Sequence, residues 1–192
     1  TDANGCTKSG SATVQEPSII SVSAKSKTSV SCNGGSTGAV TITVSGGSPI
    51  GSPIYQSFSW TGPSSFTAST QNITALKAGR YDVTITDANS CTGTDSVLIS
   101  QPTPLLSVLT TNNITCNGLA NGSVSTSPSG GTAPYTYSWA GTGTVSGVTA
   151  TTAGMTSLAA GTYNYVVTDA NGCTKSGSAT VQEPSIISVS AK

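Results

Sequence analysis

The sequence predicts an all-β fold, and three features of its 192 residues indicate it. Short runs of Val, Ile, Thr and Tyr alternate with polar residues, which is typical of strands that bury one face. Gly and Pro, with 22 and nine residues, separate these runs as turns do. No long stretch has the 3.6-residue spacing of apolar residues that an amphipathic helix requires. An apolar share of 35%, arranged in such runs, also argues against disorder.

The chain contains a long internal repeat. The segment TDANGCTKSGSATVQEPSIISVSAK occupies Thr1–Lys25 and returns unchanged as Thr168–Lys192, 167 residues later. A looser copy spans Thr86–Leu105, so one period holds two related units. We therefore expect the closing strand of a preceding unit, two complete domains and the opening strand of a following unit, at 1–17, 18–102, 103–184 and 185–192. Short proline-containing joins between them favour a semi-rigid linear array.

The predicted strands follow the same order in both complete units. An opening strand leads to a cysteine in CNG, and a strand containing Val40 or Val124 follows the turn. The next strand carries the tryptophan, in PIYQSFSW and PYTYSW, and a variable Ser/Thr/Gly-rich segment comes after it. Leu-x-x-Gly-x-Tyr then begins a strand that turns at Asp-Ala-Asn and returns through the second cysteine. This last pair of strands is a predicted hairpin.

The Leu-x-x-Gly-x-Tyr motif, at Tyr81 and Tyr163, resembles the tyrosine corner of immunoglobulin-like sandwiches. Roughly seven short strands, one tryptophan and two cysteines in about 83 residues suit a small sandwich of two sheets. We therefore expect tandem small immunoglobulin-like β-sandwich domains.

The five cysteines predict one disulfide in each complete unit. Cys32 and Cys91 lie 59 residues apart and Cys116 and Cys173 lie 57 apart, so we expect these two pairs, with the partner of Cys6 outside the chain. Each bond would stabilise its domain by roughly 4 kcal/mol and would indicate an oxidising compartment. Reduced structural thiols are the alternative. A zinc site lacks ligands, because the sequence has no His and no C-x-x-C.

Composition excludes several classes of function. Seven basic against seven acidic residues, with 7% charged in all, provide no basic surface for nucleic acid or anionic lipid. No apolar run approaches the roughly 18 residues of a membrane span, so membrane insertion is not expected. Without His, and with carboxylates mostly at turns and joins, neither a catalytic triad nor a carboxylate pair can be assembled. We expect no enzyme, no catalytic residue and no cofactor.

Aromatic side chains are the candidate contacts for a sugar. Trp60 and Trp139, together with Tyr55, Tyr135 and Tyr137, would stack on a carbohydrate if they were exposed. Burial in the sandwich core is the alternative that we favour, since Tyr135 and Tyr137 alternate with Trp139 and share its face.

The loop Asp-Ala-Asn-Gly resembles the start of a calcium-binding loop. No further acidic ligand follows at the spacing that such a loop needs. A tight hairpin turn, with Asp and Asn capping backbone groups and Gly at positive φ, explains the motif better. We expect a turn and no metal site.

The motifs CNG, SGG, PYTYSW, LAAGTY, VTDANGC and QEP follow one another in the second unit. This ordered set resembles the SprB repeat of the Bacteroidetes gliding-motility adhesins, very large cell-surface proteins exported by type IX secretion. The first unit departs from the pattern at SPIGSPIYQSF, at Ser90 in place of the hairpin Gly, and at Arg80.

The resemblance implies an extracellular filament at the cell surface, in which these repeats form a stalk used in adhesion and gliding. Its partners would be neighbouring repeats, gliding and secretion machinery bound through other regions, and a surface polysaccharide or other substratum. Asp95-Ser96-Val97 resembles the O-glycosylation acceptor of Bacteroidetes surface proteins, which makes Ser96 a candidate modification site. The alternative function is a carbohydrate-binding or accessory module of a secreted multidomain protein.

Overall fold

The computed structural model describes residues 1–14, 16–47, 54–142, 149–150 and 152–189. Within those ranges the chain is all-β, apart from a single 3₁₀ turn at Pro63–Ser65. The insertion predicted at SPIGSPIYQSF begins in residues 48–53, outside the described residues. The strands of the first repeat are β1 (Ser18–Thr28), β2 (Gly38–Gly47), β3 (Tyr55–Gly62), β4 (Phe66–Ala68), β5 (Ile73–Leu76), β6 (Gly79–Asp87) and β7 (Thr92–Ile99).

The second repeat contains the same series of strands in the same order. The tryptophan lies on the third strand of each series, and the Asp-Ala-Asn loop joins the last two. The predicted order of strands is therefore confirmed. The strands are β8 (Leu106–Asn112), β9 (Gly122–Ser129), β10 (Thr136–Thr142), β11 (Thr149–Ala150), β12 (Gly154–Leu158), β13 (Gly161–Thr168) and β14 (Thr174–Val181).

Each series of strands divides between two sheets. The sheet orders are β1-β2-β5 and β4-β3-β6-β7 in the first repeat, and β12-β9-β8 and β11-β10-β13-β14 in the second. In chain order these are strands A, B and E of one sheet and C′, C, F and G of the other. That division is the one found in immunoglobulin-like sandwiches. The predicted fold class is confirmed.

Alternating burial shows why these sequences form sandwich strands. In β13 the side chains of Tyr163, Tyr165 and Val167 are buried, and the residues between them are more exposed. In β6 the corresponding side chains of Tyr81, Val83 and Ile85 are buried in the same way. A strand with one buried and one wetter face must pack against a second sheet.

The last two strands of the second repeat form the predicted hairpin. β13 pairs antiparallel with β14 in continuous register from Gly161↔Val181 to Thr168↔Thr174. On its other side β13 pairs antiparallel with β10, which places Trp139 opposite Tyr165. The hairpin loop Asp-Ala-Asn-Gly is thereby held at one end of a fully paired sheet.

A tyrosine corner closes the second repeat. The hydroxyl of Tyr163 donates a hydrogen bond to the carbonyl oxygen of Ala159, four residues earlier, at 2.8 Å. Burial raises the pKa of this phenol above its ordinary value. The predicted corner is confirmed in this repeat, and it fixes the entry of β13 into the core.

The chain packs as two compact units. One contains Thr1–Lys27, Val40–Ile73 and Arg80–Leu98, and the other contains Thr28–Ala39, Thr74–Gly79 and Ile99–Lys192. The second unit thus includes the CNG turn that follows β1 as well as all strands from β8 to β14. Contacts of that turn are contacts within the second unit.

The two terminal fragments do not form the strands that the repeat predicts. Residues 7–14 and 185–189 are not in strands, whereas the identical residues 174–181 and 18–22 lie in β14 and β1. A strand is held by hydrogen bonds to a neighbouring strand, and β14 has β13 beside it while β1 has β2. Residues 190–192, at the end of the predicted opening strand, lie outside the described part of the chain.

Candidate functional site

The Asp-Ala-Asn loop has one geometry at all three of its positions. The Oδ1 atom of the aspartate accepts the backbone N–H groups of the residues two and four positions later, at 2.8 to 2.9 Å. The backbone N–H of the aspartate donates to the carbonyl of the cysteine at 2.9 to 3.0 Å. The three aspartates are Asp2, Asp87 and Asp169, and their cysteines are Cys6, Cys91 and Cys173. The capped-turn interpretation is confirmed.

The residue before each cysteine adopts the left-handed conformation. Its φ is 83° at Gly5, 66° at Ser90 and 80° at Gly172. Glycine takes this conformation without steric cost, and a serine in its place is strained. The first unit therefore keeps the same turn despite its departure from glycine.

Both carboxylate oxygens of Asp169 are occupied by backbone donors. Oδ2 accepts the N–H of Thr132 at 2.9 Å, in addition to the two bonds at Oδ1. Burial by itself would raise the pKa of Asp169, but the N–H groups of Cys173, Thr132 and Asn171 hold it below its ordinary value of 3.8. In the described residues, no group of three or more His, Cys, Asp or Glu is placed to hold a metal ion.

The CNG turn also has matched geometry in the two repeats. Nδ2 of Asn33 donates to the carbonyl of Pro102 at 2.9 Å, and Nδ2 of Asn117 donates to that of Pro184 at 3.0 Å. The backbone N–H of the following glycine donates to the side chain of the residue before that proline. These bonds run from Gly34 to Gln101 Oε1 at 2.8 Å and from Gly118 to Glu183 Oε2 at 3.0 Å. These bonds fix each CNG turn against the residues that follow the last strand of its repeat.

The disulfide in the structure joins the CNG turn of the first repeat to the hairpin of the second. Cys32 is bonded to Cys173, with an S–S distance of 2.03 Å and a Cα–Cα distance of 5.6 Å. Nδ2 of Asn171 donates to the carbonyl of Ser31 at 3.1 Å beside this bond. The cysteines Cys6, Cys91 and Cys116 are free and exposed.

The predicted pairs, Cys32 with Cys91 and Cys116 with Cys173, are therefore wrong. In the second repeat Cys173 precedes β14, while the turn of Cys116 is hydrogen-bonded to Glu183 and Pro184, which follow it. Eight residues of extended strand separate these points by roughly 26 Å. A disulfide requires Cα atoms within about 7 Å, so a bond inside the repeat is impossible there. In the first repeat, β7 separates Cys91 from Gln101 and Pro102 in the same way.

Both tryptophans lie in the cores, as the packing interpretation predicts. Trp60 and Trp139 are buried. Their Nε1 atoms donate to the carbonyls of Thr70 at 2.9 Å and Thr152 at 3.1 Å. Neither ring presents a face to solvent, so the candidate role of these residues in glycan contact is contradicted by their burial.

The tyrosines named with them are partly buried. Tyr135 and Tyr137 pack against the core cluster that contains Trp139, which confirms that they share its face. The hydroxyls of Tyr55 and Tyr135 donate to the carbonyls of Gly46 at 3.0 Å and Gly130 at 2.6 Å. These rings brace the Gly-Gly turn that precedes the tryptophan strand.

Ser96 lies in β7 and is partly buried. Its N–H donates to Asp95 Oδ1 at 2.6 Å, and Asp95 forms an ion pair with Lys25 at 2.9 Å. Burial alone would raise the pKa of Asp95, but the hydrogen bonds and charge of its neighbours, Lys25 foremost, lower it. The O-glycosylation of Ser96 stays a prediction.

A family model decides what the chain is similar to. The SprB repeat model matches residues 24–65 and 108–144. Two stretches of the chain are therefore similar to the SprB repeat. Each matched stretch runs through the CNG turn to the tryptophan strand, so the turn that carries Cys32 or Cys116 lies within the part that is similar to the SprB repeat. The resemblance predicted from the ordered motifs is confirmed.

The chain is also similar to solved structures of immunoglobulin domains. A structure from work on Dscam isoform specificity is 14% identical over 88% of this chain and 47% of that chain, with a TM-score of 0.35. Dscam1 isoform 9.44 is 12% identical over 89% and 47%, with a TM-score of 0.38. The amphioxus IgVJ-C2 molecule is 15% identical over 70% and 91%, with a TM-score of 0.33. The chain thus spans about half the length of these Dscam chains.

The search of curated proteins found no match. The described residues of the chain contain no helix with the length and hydropathy of a membrane span.

Proposed function

We propose that this chain is a stalk segment of a very large secreted adhesin at the cell surface, used in surface adhesion and gliding motility. The two SprB repeats within one 167-residue period carry the proposal. A sequence that repeats without change over 25 residues suits a protein built by adding modules, whose stability is a sum of modules and their junctions. The proposed export route is type IX secretion.

The surface chemistry of the chain suits a passive extracellular spacer. With 7% charged residues and net charge near zero, it has no electrostatic surface for nucleic acid or anionic lipid. A disulfide suits an oxidising compartment. The sequence lacks His, and its capped aspartates are committed to backbone donors, so a structural role fits these residues better than an enzyme does.

The partners that we propose follow from a stalk. Neighbouring repeats would contact one another at the junctions, and the gliding and secretion machinery would act through other regions of the protein. A surface polysaccharide or another substratum would be contacted by the filament as a whole. The alternative of a dedicated carbohydrate-binding module depended on exposed tryptophans, and both tryptophans are buried.

Antibodies raised against the purified chain test the proposal. Immunogold labelling of intact gliding cells should decorate surface filaments, and the label should disappear from cells whose gene lacks these repeats. Cells with the repeats deleted in frame should export a shorter filament and should adhere less well to glass. Label confined to the cytoplasm, or unchanged adhesion with a shortened filament, would refute the stalk.

A further inference from the structure

Two free cysteines of this chain occupy the same positions in their repeats as the two cysteines that form the disulfide. Cys116 occupies the same place in its CNG turn as Cys32, and Cys91 the same place in its hairpin as Cys173. Cys32 and Cys173 are bonded to each other, whereas Cys91 and Cys116 are free and exposed. The local structure at each free thiol can therefore be compared with a bonded counterpart.

The turn at Cys116 already has the bonded conformation. The carbonyl of Cys116 accepts the N–H of Leu119 at 3.2 Å, as that of Cys32 accepts the N–H of Gly35 at 3.0 Å. The N–H of Thr115 is capped by Asn121 Oδ1 at 3.2 Å, and that of Ser31 by Thr37 Oγ1 at 2.8 Å, the corresponding pair. No rearrangement of this turn is needed for Cys116 to form the bond that Cys32 forms.

The hairpin at Cys91 is equally prepared. Asp87 Oδ1 accepts the N–H groups of Asn89 and Cys91 at 2.9 Å, which matches the bonds of Asp169 in the linked hairpin. Asn89 corresponds to Asn171, whose side chain donates to the carbonyl of Ser31 beside the disulfide. A hairpin with Cys91 would thus bring the same amide to the carbonyl of Thr115.

The surface beside Cys116 is an open cavity, whereas the corresponding surface beside the disulfide-bonded Cys32 is covered. A cavity of about 390 Å³ is lined by Thr115, Cys116, Asn117 and residues 184–187. In the first repeat the corresponding residues Ser31 and Cys32 are contacted by Asn171 and Cys173. A docked hairpin of the same shape would cover the cavity at Cys116.

Ile187 is one of the apolar residues of that lining, and its counterpart in the first copy of the repeated segment is packed against other residues. It is the repeat counterpart of Ile20, whose side chain packs so closely on Gly47 and Gly93 that a Cβ on either glycine would lie 3.2 or 2.7 Å from it. The same glycines in a following copy of the period would therefore cover Ile187.

We propose that Cys116 forms a disulfide with Cys91 of the next copy of the 167-residue period, so that the CNG cysteine of every repeat is bonded to the hairpin cysteine of the repeat after it. With that period, Cys91 of the next copy follows Cys116 by 142 residues, against 141 for the observed pair. Consecutive SprB repeats would then be joined by a continuous series of covalent staples. The proposal requires a following copy but no adhesive role.

Forming the bond requires an oxidant, for which a protein or small-molecule disulfide serves. The thiolate of Cys116 attacks the donor disulfide, which gives a mixed disulfide and releases one donor thiol. The thiolate of Cys91 from the next copy then attacks the Cys116 sulfur and releases the second donor thiol. The two cysteines lose two protons and two electrons, and the donor disulfide gains them.

A tandem chain of residues 1–167 followed by residues 1–192 tests the pairing. Cys91→Ser in the first copy and Cys116→Ser in the second leave Cys116 and Cys91 only where the proposal pairs them. After folding with oxidised and reduced glutathione, non-reducing peptide mapping should find the Cys116–Cys91 linked peptide in the monomer, with both thiols protected from iodoacetamide.

The reciprocal tandem chain is the matched control. It carries Cys116→Ser in the first copy and Cys91→Ser in the second. The thiols that remain, Cys91 of the first copy and Cys116 of the second, are a pair that the proposal does not join, so both should be alkylated. The Cys32–Cys173 peptide in the same digests reports folding of both variants. Free thiols in the forward variant, equal linkage in the two variants, or linkage only in disulfide-joined oligomers would overturn the proposal.

Discussion

One 25-residue sequence occurs twice in this chain, in opposite surroundings. Val181, in the second copy, is 1% exposed at the end of β14, whereas its counterpart Val14 is 94% exposed. The reverse holds further along the segment, because Ile20 is 6% exposed in β1 and its counterpart Ile187 is 91% exposed. The same residues are core in one place and surface in the other.

The difference divides the repeated segment into two halves. The half that ends at the Gln-Glu-Pro join has its hairpin turn in both copies, but its strand forms only in the second, where β13 pairs with it. The half that begins after the proline is folded only in the first copy, as β1 beside β2. Sequence alone therefore does not determine burial here. Each half becomes core only when the rest of its sandwich lies beside it.

Charged substitution at the two valines should give the largest contrast. Val181→Asp places an unpaired carboxylate in the core and should lower the free energy of unfolding by about 5 kcal/mol. Val14→Asp is the same substitution in the same sequence and should change it by less than about 0.5 kcal/mol. Urea titration followed by tryptophan fluorescence measures both. Equal losses from the two variants would contradict the division of the segment.

The cysteines of the two copies should differ almost as much. Cys173→Ser removes the bond to Cys32, which closes a separation of 141 residues, and should cost up to about 4 kcal/mol. Cys6→Ser replaces a free, exposed thiol and should be neutral. A reductant should destabilise the unsubstituted chain as much as Cys173→Ser does. If reductant also weakens the Cys173→Ser chain, the loss has another origin.

Much of the sandwich could be predicted because its signals are local. Alternation at Tyr163, Tyr165 and Val167, and the Leu-x-x-Gly-x-Tyr motif, depend on a few neighbouring residues and gave strands and corner correctly. Burial of Trp139 followed from its alternation with two tyrosines.

The disulfide could not be predicted in this way because the position of the CNG turn depends on distant contacts. Asn33 and Gly34 donate hydrogen bonds to Pro102 and Gln101, which lie at the opposite end of β7 from Cys91. No local sequence pattern indicates these contacts. Equal spacing of cysteines within repeats suggested one scheme, but spacing across repeats is just as regular. Regular spacing therefore identifies a repeated bond without saying which repeat supplies the partner.

Truncation of the two isoleucines should give an intermediate contrast. Here the first copy of the repeated segment should be the sensitive one, whereas for the valines it is the second copy. Ile20→Ala removes a buried side chain that packs on Gly47 and Gly93, and should cost about 3 kcal/mol. Ile187→Ala should leave stability unchanged within about 0.5 kcal/mol. Thermal unfolding of both variants beside the parent chain checks this. A loss at Ile187 would mean that residues 185–189 are packed within this chain.

The aspartates of the two copies should differ least. The pKa of Asp169 is lowered in the folded chain, so its ionised form favours folding at pH values above about 4, and that contribution is lost as pH falls through the lowered pKa. Asp169→Asn should therefore weaken the fall in stability below pH 4, which denaturation midpoints from pH 7 to pH 2 measure. Asp2 accepts the same two loop bonds at Oδ1, but only Asp169 also accepts, at Oδ2, the N–H of Thr132 from the sandwich, so Asp2→Asn should change the free energy of unfolding at pH 7 by less than about 0.5 kcal/mol. An Asp169→Asn chain that loses stability below pH 4 as steeply as the parent chain would contradict this role of the carboxylate.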